Sequence, residues 1–370
     1  MTGKVLVCLH DELMNGASIS ILRAIPLLEE HGWQFSFWVP SPGPARDHLD
    51  ALGADVHGLE RPIASSVVAL RLPPGLRSRA RAVPGYLTAF REWVMAKNPD
   101  LVHANSLYSF AEALAARRLG FRTLLHVHDM APPGRKRAAA RWICRRGVDR
   151  TIAVSEACAA SYAHAGWKPG VIREAAPVPA EPAEIRPGPE PFVVGTVGVV
   201  SHRKGSDLFV EAAEIIDDPA FEFRMVGAPS DPFDADWGAA LVRRAERAGI
   251  RHLPSADIES ELRTWDLFVL PSRRDPCPIS MLEAMALGLP VIGTRVDGLA
   301  EEIDAKSGVL VPGDDAPALA QAIRRVKSLS SRERGDLGAA ARERVSSEFS
   351  LSRQADELHR AYADVLGRPK

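Results

Sequence analysis

Short, unbroken apolar runs recur along this chain, and each is followed by a segment whose apolar residues return every three or four positions. Val5-Leu6-Val7-Cys8-Leu9 is the first run, and Ile19, Leu22, Ile25 and Leu28 follow it at helical spacing. A continuous apolar run suits a strand buried on both faces, and such strands belong to parallel sheets covered by helices. Residues 35–39, 54–56, 101–103, 123–127 and 151–154 continue the series, with helices expected over 48–52 and 109–119. Asn15-Gly16-Ala17-Ser18 supplies a turn and an N-cap for the first helix. The pattern predicts an α/β chain assembled from βαβ units.

The alternation stops once and then restarts. Pro177, Pro179, Pro182, Pro187, Pro189 and Pro191 crowd a stretch without apolar period, which reads as a semi-rigid spacer. Strands are expected beyond it over 192–200, 221–226, 266–270 and 291–292, with helices over 207–216, 239–248 and 281–287, and a largely helical end over 316–366. A chain of 370 residues exceeds what one hydrophobic core holds, so two domains are expected. The expected division is 1–180, 181–350 and a closing helical segment 351–370, with a cleft between two Rossmann-like halves.

Composition narrows the partners. The net charge of −1 argues against generic nucleic-acid binding. Cys8, Cys144, Cys158 and Cys277 are scattered and form no Cys-x-x-Cys pair, so they read as reduced thiols in a cytoplasmic protein. No signal peptide is read at the start, and no apolar run is long enough for a bilayer. The histidines lack metal-ligand spacing. Asp234-Ala235-Asp236 is formally Asp-x-Asp but lies in a turn away from any strand end. Two basic segments, Arg77, Arg79 and Arg81, then Arg135, Lys136, Arg137, Arg141, Arg145 and Arg146, read either as solvated helix faces or as surfaces for an anionic acceptor or a membrane.

The chemistry gathers around one loop. Asp275-Pro-Cys-Pro-Ile-Ser-Met-Leu-Glu283 follows a buried strand and opens a helix that stops at Gly288 and Pro290. Ligands of open α/β sheets bind at the carboxyl ends of strands, and a helix start there offers N–H groups to an anion such as a diphosphate. Carboxylates beside it accept bonds from hydroxyls, so the constellation suits a nucleotide-sugar. Ser280-Met281-Leu282-Glu283 also matches a capping box, in which Glu283 would only secure the helix start. Asp275 can equally be a turn residue before Pro276. The loop from Gly198 to Gly205 carries Arg203 and Lys204, which could neutralise a diphosphate, ahead of a helix with Ser206 at its N-cap. His103 and His128 end strands of the first half and are either satisfied core groups or cleft-facing residues, His128-Asp129 being the better candidate; His103, Asn105 and Asp129 are the acceptor-side candidates.

These residues resemble the signature of retaining family-4 glycosyltransferases of the GT-B fold. Phe268-Val269-Leu270-Pro271-Ser272, Asp275, and Leu282-Glu283-Ala284-Met285-Ala286-Leu287-Gly288-Leu289-Pro290-Val291-Ile292 carry the likeness. It extends through Asn15-Gly16-Ala17, His103, His128-Asp129, Val154-Ser155-Glu156, Arg203-Lys204-Gly205, Val226-Gly227 and 308–312, and residues 349–366 with Tyr362 resemble the family's closing helix, which crosses back to the first domain. The resemblance implies metal-independent transfer of a hexose-type sugar from a nucleotide-diphosphate donor, a UDP- or GDP-sugar foremost, without any cofactor beyond this co-substrate. It implies ribose binding by Glu283, sugar-hydroxyl contacts by Asp275 and His128, phosphate binding by Lys204 and Arg203, and backbone contacts to the donor at Gly16, Gly198, Gly227, Cys277, Ile279 and Ser280. The acceptor would be a small molecule, a lipid-linked glycan or a polysaccharide, held by the first half, with peripheral membrane contact as a further partner; oligomeric state is left open. An epimerase or hydrolase on the same fold, or a non-catalytic sugar-nucleotide-binding subunit, are the alternatives. The chain departs from the family at Asp275 in place of Glu, Cys277-Pro278 in place of Phe-Gly, Gly198-Val199 in place of Gly-Arg, Glu174-Ala175 in place of Asn-Gly, and Asp297-Gly298 in place of Gly-Gly.

Overall fold

The computed structural model describes residues 3–60, 76–188, 190–229 and 235–368, with the backbone alone for 76–81 and 235. The side chains of Arg77, Arg79 and Arg81, and Asp234 of the Asp-x-Asp stretch, lie outside the described residues.

The chain forms two compact units, Met1–Glu174 with Leu351–Lys370, and Ala175–Ser350. The first is built on β1 (Gly3–Cys8), β2 (Trp33–Trp38), β3 (Asp55–His57), β4 (Leu101–Ala104), β5 (Arg122–Val127), β6 (Arg150–Ala153) and β7 (Gly170–Val171), in the order β3-β2-β1-β4-β5-β6-β7. The second is built on β8 (Phe192–Val197), β9 (Phe221–Val226), β10 (Arg251–Leu253), β11 (Leu267–Leu270), β12 (Val291–Thr294) and β13 (Val309–Val311), in the order β10-β9-β8-β11-β12-β13. Every pairing between these strands is parallel. Helices connect them, as the apolar runs require: β4, β11 and β12 are buried along their whole length.

Several readings change. β8 ends at Val197, not at residue 200, because Gly198 already belongs to the loop that follows. The helix expected over 48–52 starts at Pro44, where proline's fixed φ suits the first helical position. Helix Leu76–Lys97 escaped the sequence reading; its inward row, Tyr86, Phe90 and Val94, is spaced by four but set among polar residues and a proline. The proline-rich stretch is also no free spacer. Ala183 N donates to Leu287 O at 2.7 Å, Arg263 reaches the carbonyls of Glu181 and Pro182, and Arg186 pairs with Asp266, so it is strapped to the second unit. The terminal helix Leu351–Val365 packs on the first unit, with Leu358 and Tyr362 in the core that holds Val5, Ile21 and Leu124. Among the described residues no helix is long and apolar enough to cross a membrane.

In the second unit, helix Ser331–Glu348 lies so close to the end of helix Ile279–Ala286 that a Cβ on Gly338 would sit 1.9 Å from the carbonyl oxygen of Gly288. Gly338→Ala must push the two backbones apart, and overpacking of this kind costs about 1–3 kcal/mol. The urea midpoint of the second unit is expected to fall accordingly; an unchanged midpoint would show that the contact yields without cost.

Candidate functional site

Strand order reverses at one place in each sheet, between β1 and β4 and between β8 and β11. Loops leaving the carboxyl ends of such a pair turn to opposite sides and open a crevice. Sequence-predicted residues lie at both places.

In the second unit, the loop after β8 carries Arg203 and Lys204, and the loop after β11 carries Asp275. Lys204 Nζ donates to Asp275 Oδ2 at 2.8 Å, with the lysine side chain 14% and the aspartate 4% exposed. Ser272 Oγ donates to the same oxygen at 2.8 Å, while Arg203 Nη1 stands 3.9 Å from Oδ1. Asp275 is thus no solvent-facing turn residue. Its own backbone is clasped by the turn at 297–298. Asp275 N donates to Asp297 Oδ2 at 3.1 Å, and Gly298 N donates to Asp275 O at 3.0 Å. Asp297 adopts φ +39°, a left-handed backbone that aspartate tolerates better than most residues. Where the family resemblance leads one to expect glycine, the side chain adds a tie to the loop and takes a second bond from Arg274 Nε at 2.8 Å.

Arg273, which the sequence reading passed over, fixes the lysine loop from the other side. It forks Asp207 at 2.7 and 2.8 Å, donates to His202 O at 2.9 Å, and pairs with Asp314. Burial opposes ionisation of Asp207, but the bonds from Arg273 outweigh it and hold that carboxyl below the usual range. The expected N-cap at Ser206 is displaced by one residue. Gly205 takes the cap position in left-handed backbone, and Ser206 is the first helical residue, its Oγ accepting from Ser201 N at 3.2 Å.

The capping box read at Ser280–Glu283 is not formed. Helix Ile279–Ala286 starts two residues earlier than the sequence reading placed it, with Pro278 at its N-cap, so Ser280 lies inside the first turn and its Oγ donates to Val197 O at 3.3 Å. The register puts the first-turn N–H groups of Ile279 and Ser280 ahead of the intrahelical ladder, where such groups need outside partners. Glu283, half-buried, sits one turn further in. A capping box does occur at Ser330–Glu333. Cys277 is half-buried. Gly198 and Gly227 meet at the ends of β8 and β9: a Cβ on Gly227 would lie 1.9 Å from Gly198 O, so at least Gly227 has a packing reason to be glycine.

In the first unit, Asn15 caps helix Gly16–Glu30 by accepting from Ser18 N at 3.0 Å and donates through Nδ2 to Asp11 at 2.9 Å. Gly16 is exposed at the helix start. His128 Nε2 lies 3.0 Å from Asn105 Oδ1, and its Nδ1 lies 2.7 Å from Glu174 Oε1. Asp129 is exposed. His103 is not with them at the strand ends. It is buried in β4 beneath the terminal helix, its Nδ1 2.7 Å from Tyr362 OH. Between it and His128 stands His126, a residue the sequence reading missed, with ring centroids 4.1 Å from His128 and 5.7 Å from His103. Among the described residues neither nitrogen of the buried His126 finds a hydrogen-bond partner. Burial, reinforced by His128, drives the His103 pKa down to about 3 and moves His126 in the same direction. Among the described residues no group of three or more His, Cys, Asp or Glu is arranged to hold a metal ion.

Two family profiles cover most of this architecture: Glycosyltransferase Family 4 matches residues 14–174, and Glycosyl transferases group 1 matches residues 191–328. The chain belongs to the group 1, family-4 glycosyltransferases. It is similar to the 2-deoxystreptamine N-acetyl-D-glucosaminyltransferase of Streptomyces fradiae, with 28% identity over 89% of this chain and 86% of that one. It is also similar to the putative colanic acid biosynthesis glycosyltransferase WcaL of Escherichia coli K12, 29% identical over 46% of this chain; the match spans 44% of that relative's length. Among solved structures, Anabaena Alr3699/HepE, crystallised in complex with UDP-glucose, superimposes with a TM-score of 0.82 at 18% identity, covering 98% of this chain and 100% of that one. At that identity the likeness shows the fold, the GT-B pairing of two Rossmann-like units.

Proposed function

We propose that this glycosyltransferase-family chain moves a hexose-type sugar from a nucleotide-diphosphate donor, a UDP- or GDP-sugar, to an acceptor hydroxyl with retention at the anomeric carbon. The reading is carried by the Lys204–Asp275 pair, a half-buried lysine on a buried carboxylate, set at the β8/β11 switch point beside the start of helix Ile279–Ala286. Lys204 holds the departing diphosphate as a point charge and Arg203 adds a second cation, so charge stabilisation comes from the protein itself, with neither a metal ion nor a cofactor. First-turn amides at Ile279 and Ser280, with Cys277 before them, face the phosphates; Gly16, Gly198 and Gly227 let backbone approach the donor. Glu283 takes the ribose hydroxyls, Asp275 the sugar hydroxyls, and His128 stands beside the reacting sugar. The leaving phosphate accepts the acceptor's proton as attack occurs on the same face.

The first unit holds the acceptor, with Asn105 and Asp129, which lie at strand ends, as its candidate residues; the fully buried His103 belongs to the core beneath the terminal helix instead. The likeness to an enzyme named for 2-deoxystreptamine favours a small-molecule acceptor. The four cysteines, scattered and without a Cys-x-x-Cys pair, fit the reducing cytoplasm.

Melting in the presence of UDP-, GDP-, ADP- and dTDP-sugars tests the donor. One nucleotide class is expected to raise stability by about 2.7 kcal/mol at a hundredfold excess over its Kd. Absence of any shift across the panel at millimolar donor would sink the reading, and a donor consumed without an acceptor would point to hydrolysis or epimerisation.

A further inference from the structure

The surroundings of His128 fix where its protons are. Asn105 Nδ2 donates to Ala17 O at 2.8 Å, which orients the amide so that Oδ1, an acceptor, faces His128 Nε2 at 3.0 Å. Nε2 must therefore carry a hydrogen. On the other side, Nδ1 faces Glu174 Oε1 at 2.7 Å. The second carboxylate oxygen, Oε2, takes bonds from Ser20 Oγ and, at 3.2 Å, from Gln354 Nε2. Gln354 Nε2 also donates to Ser20 Oγ at 2.9 Å, leaving the serine hydrogen for the carboxylate. Glu174 Oε2 thus receives two donors, and a hydrogen on His128 Nδ1 supplies a third to Oε1, the condition under which a carboxylate is tolerated almost wholly out of water. Its side chain is 4% exposed and that of His128 is 7% exposed.

We propose that Glu174 is a positioning residue: it holds His128 with a hydrogen on both ring nitrogens, so that the imidazole presents Nε2–H, shared with Asn105, as a fixed donor to a substrate oxygen. This rests on the reading that places His128 beside the reacting sugar. The pairing has a charge consequence. A retaining transfer builds positive charge on the sugar ring, which a lone imidazolium would oppose. With the Glu174 carboxylate 2.7 Å behind it, the pair as a whole is neutral and still offers an N–H. Neutral oriented donors of this kind stabilise developing charge without reorganising. His126 and His103, whose burial keeps them uncharged, add no competing charge.

Ring-nitrogen NMR of the full chain labelled with ¹⁵N-histidine tests the proton inventory directly, the His128 signals being assigned by their loss in His128→Asn. Wild type is expected to show both His128 nitrogens protonated at neutral pH, and Glu174→Gln only one. A wild-type His128 with a bare nitrogen, or a Glu174→Gln protein that keeps both hydrogens, would overturn the proposal. Because Glu174 also ties Ser20 and Gln354, Gln354→Met serves as the structural control: it is expected to melt earlier yet retain both ring hydrogens. In turnover of the sugar nucleotide selected by the melting panel, Glu174→Gln is expected to lower kcat by about 10- to 100-fold with the donor KM unchanged; a change confined to KM would refute the role. If wild type turns over no donor, the transfer reading fails while the NMR result still judges the pair.

Discussion

Replacing Lys204 by alanine is expected to lower sugar transfer by about 10²- to 10³-fold, the usual loss on removing one preorganised charge-stabilising group from a transition state. The same change strips Asp275 of its closest cation. That carboxylate is 4% exposed, and the remaining partners are Ser272 Oγ at 2.8 Å and Arg203 at 3.9 Å. Breaking a buried ion pair from one side costs about 3–5 kcal/mol, so Lys204→Ala will also melt early. A double substitution separates the two losses. In Lys204→Ala/Asp275→Asn the uncompensated charge is gone, and most of the stability should return. Transfer should stay low, because the cation proposed to hold the diphosphate is still missing. Calorimetric melting beside initial rates at saturating donor checks both. Recovery of activity together with stability in the double variant would mean that Lys204 serves only to neutralise Asp275.

This pair also shows how far the sequence could be read. Asp275 and Lys204 were legible as candidates because each follows an apolar strand whose end the residues mark clearly, Val197-Gly198 and Leu270-Pro271. That they meet each other was not legible, since it depends on β8 and β11 being neighbours in the sheet, a pairing between residues some seventy positions apart. Local signals misled where tertiary geometry set the register. Ser280 and Glu283 have capping-box spacing, yet Pro278 starts the helix; Ser206 is a good cap, yet Gly205 takes the place. Arg273 adjoins the motif and was passed over, because its value lies in reaching Asp207 and Asp314 from other loops. Glu174 left only a negative trace in the sequence, a departure from the resembled family. Its partners Ser20, His128 and Gln354 come from three distant segments.

The first unit is expected to lose stability in mild acid. The His103 pKa falls from 6.5 to about 3 in the folded chain, chiefly because burial penalises the charged ring and secondarily because of His128. A histidine whose folded value is depressed binds fewer protons folded than unfolded. Its contribution is therefore intact above pH 6.5 and is lost progressively as pH falls toward 3. At pH 5 the loss from His103 alone is about 2 kcal/mol, 1.5 pH units at about 1.4 kcal/mol each. His126 moves in the same direction and, with both nitrogens unpartnered among the described residues, adds to it. Urea unfolding of the first unit at pH 7.5 and pH 5 should show this drop. Substituting His126 by phenylalanine keeps an aromatic ring against His103 and His128 while removing a group that must stay neutral to remain buried. The variant should lose less stability between the two pH values than wild type. An identical drop in both proteins would mean that His126 is not one of the groups that couple folding of this unit to acid.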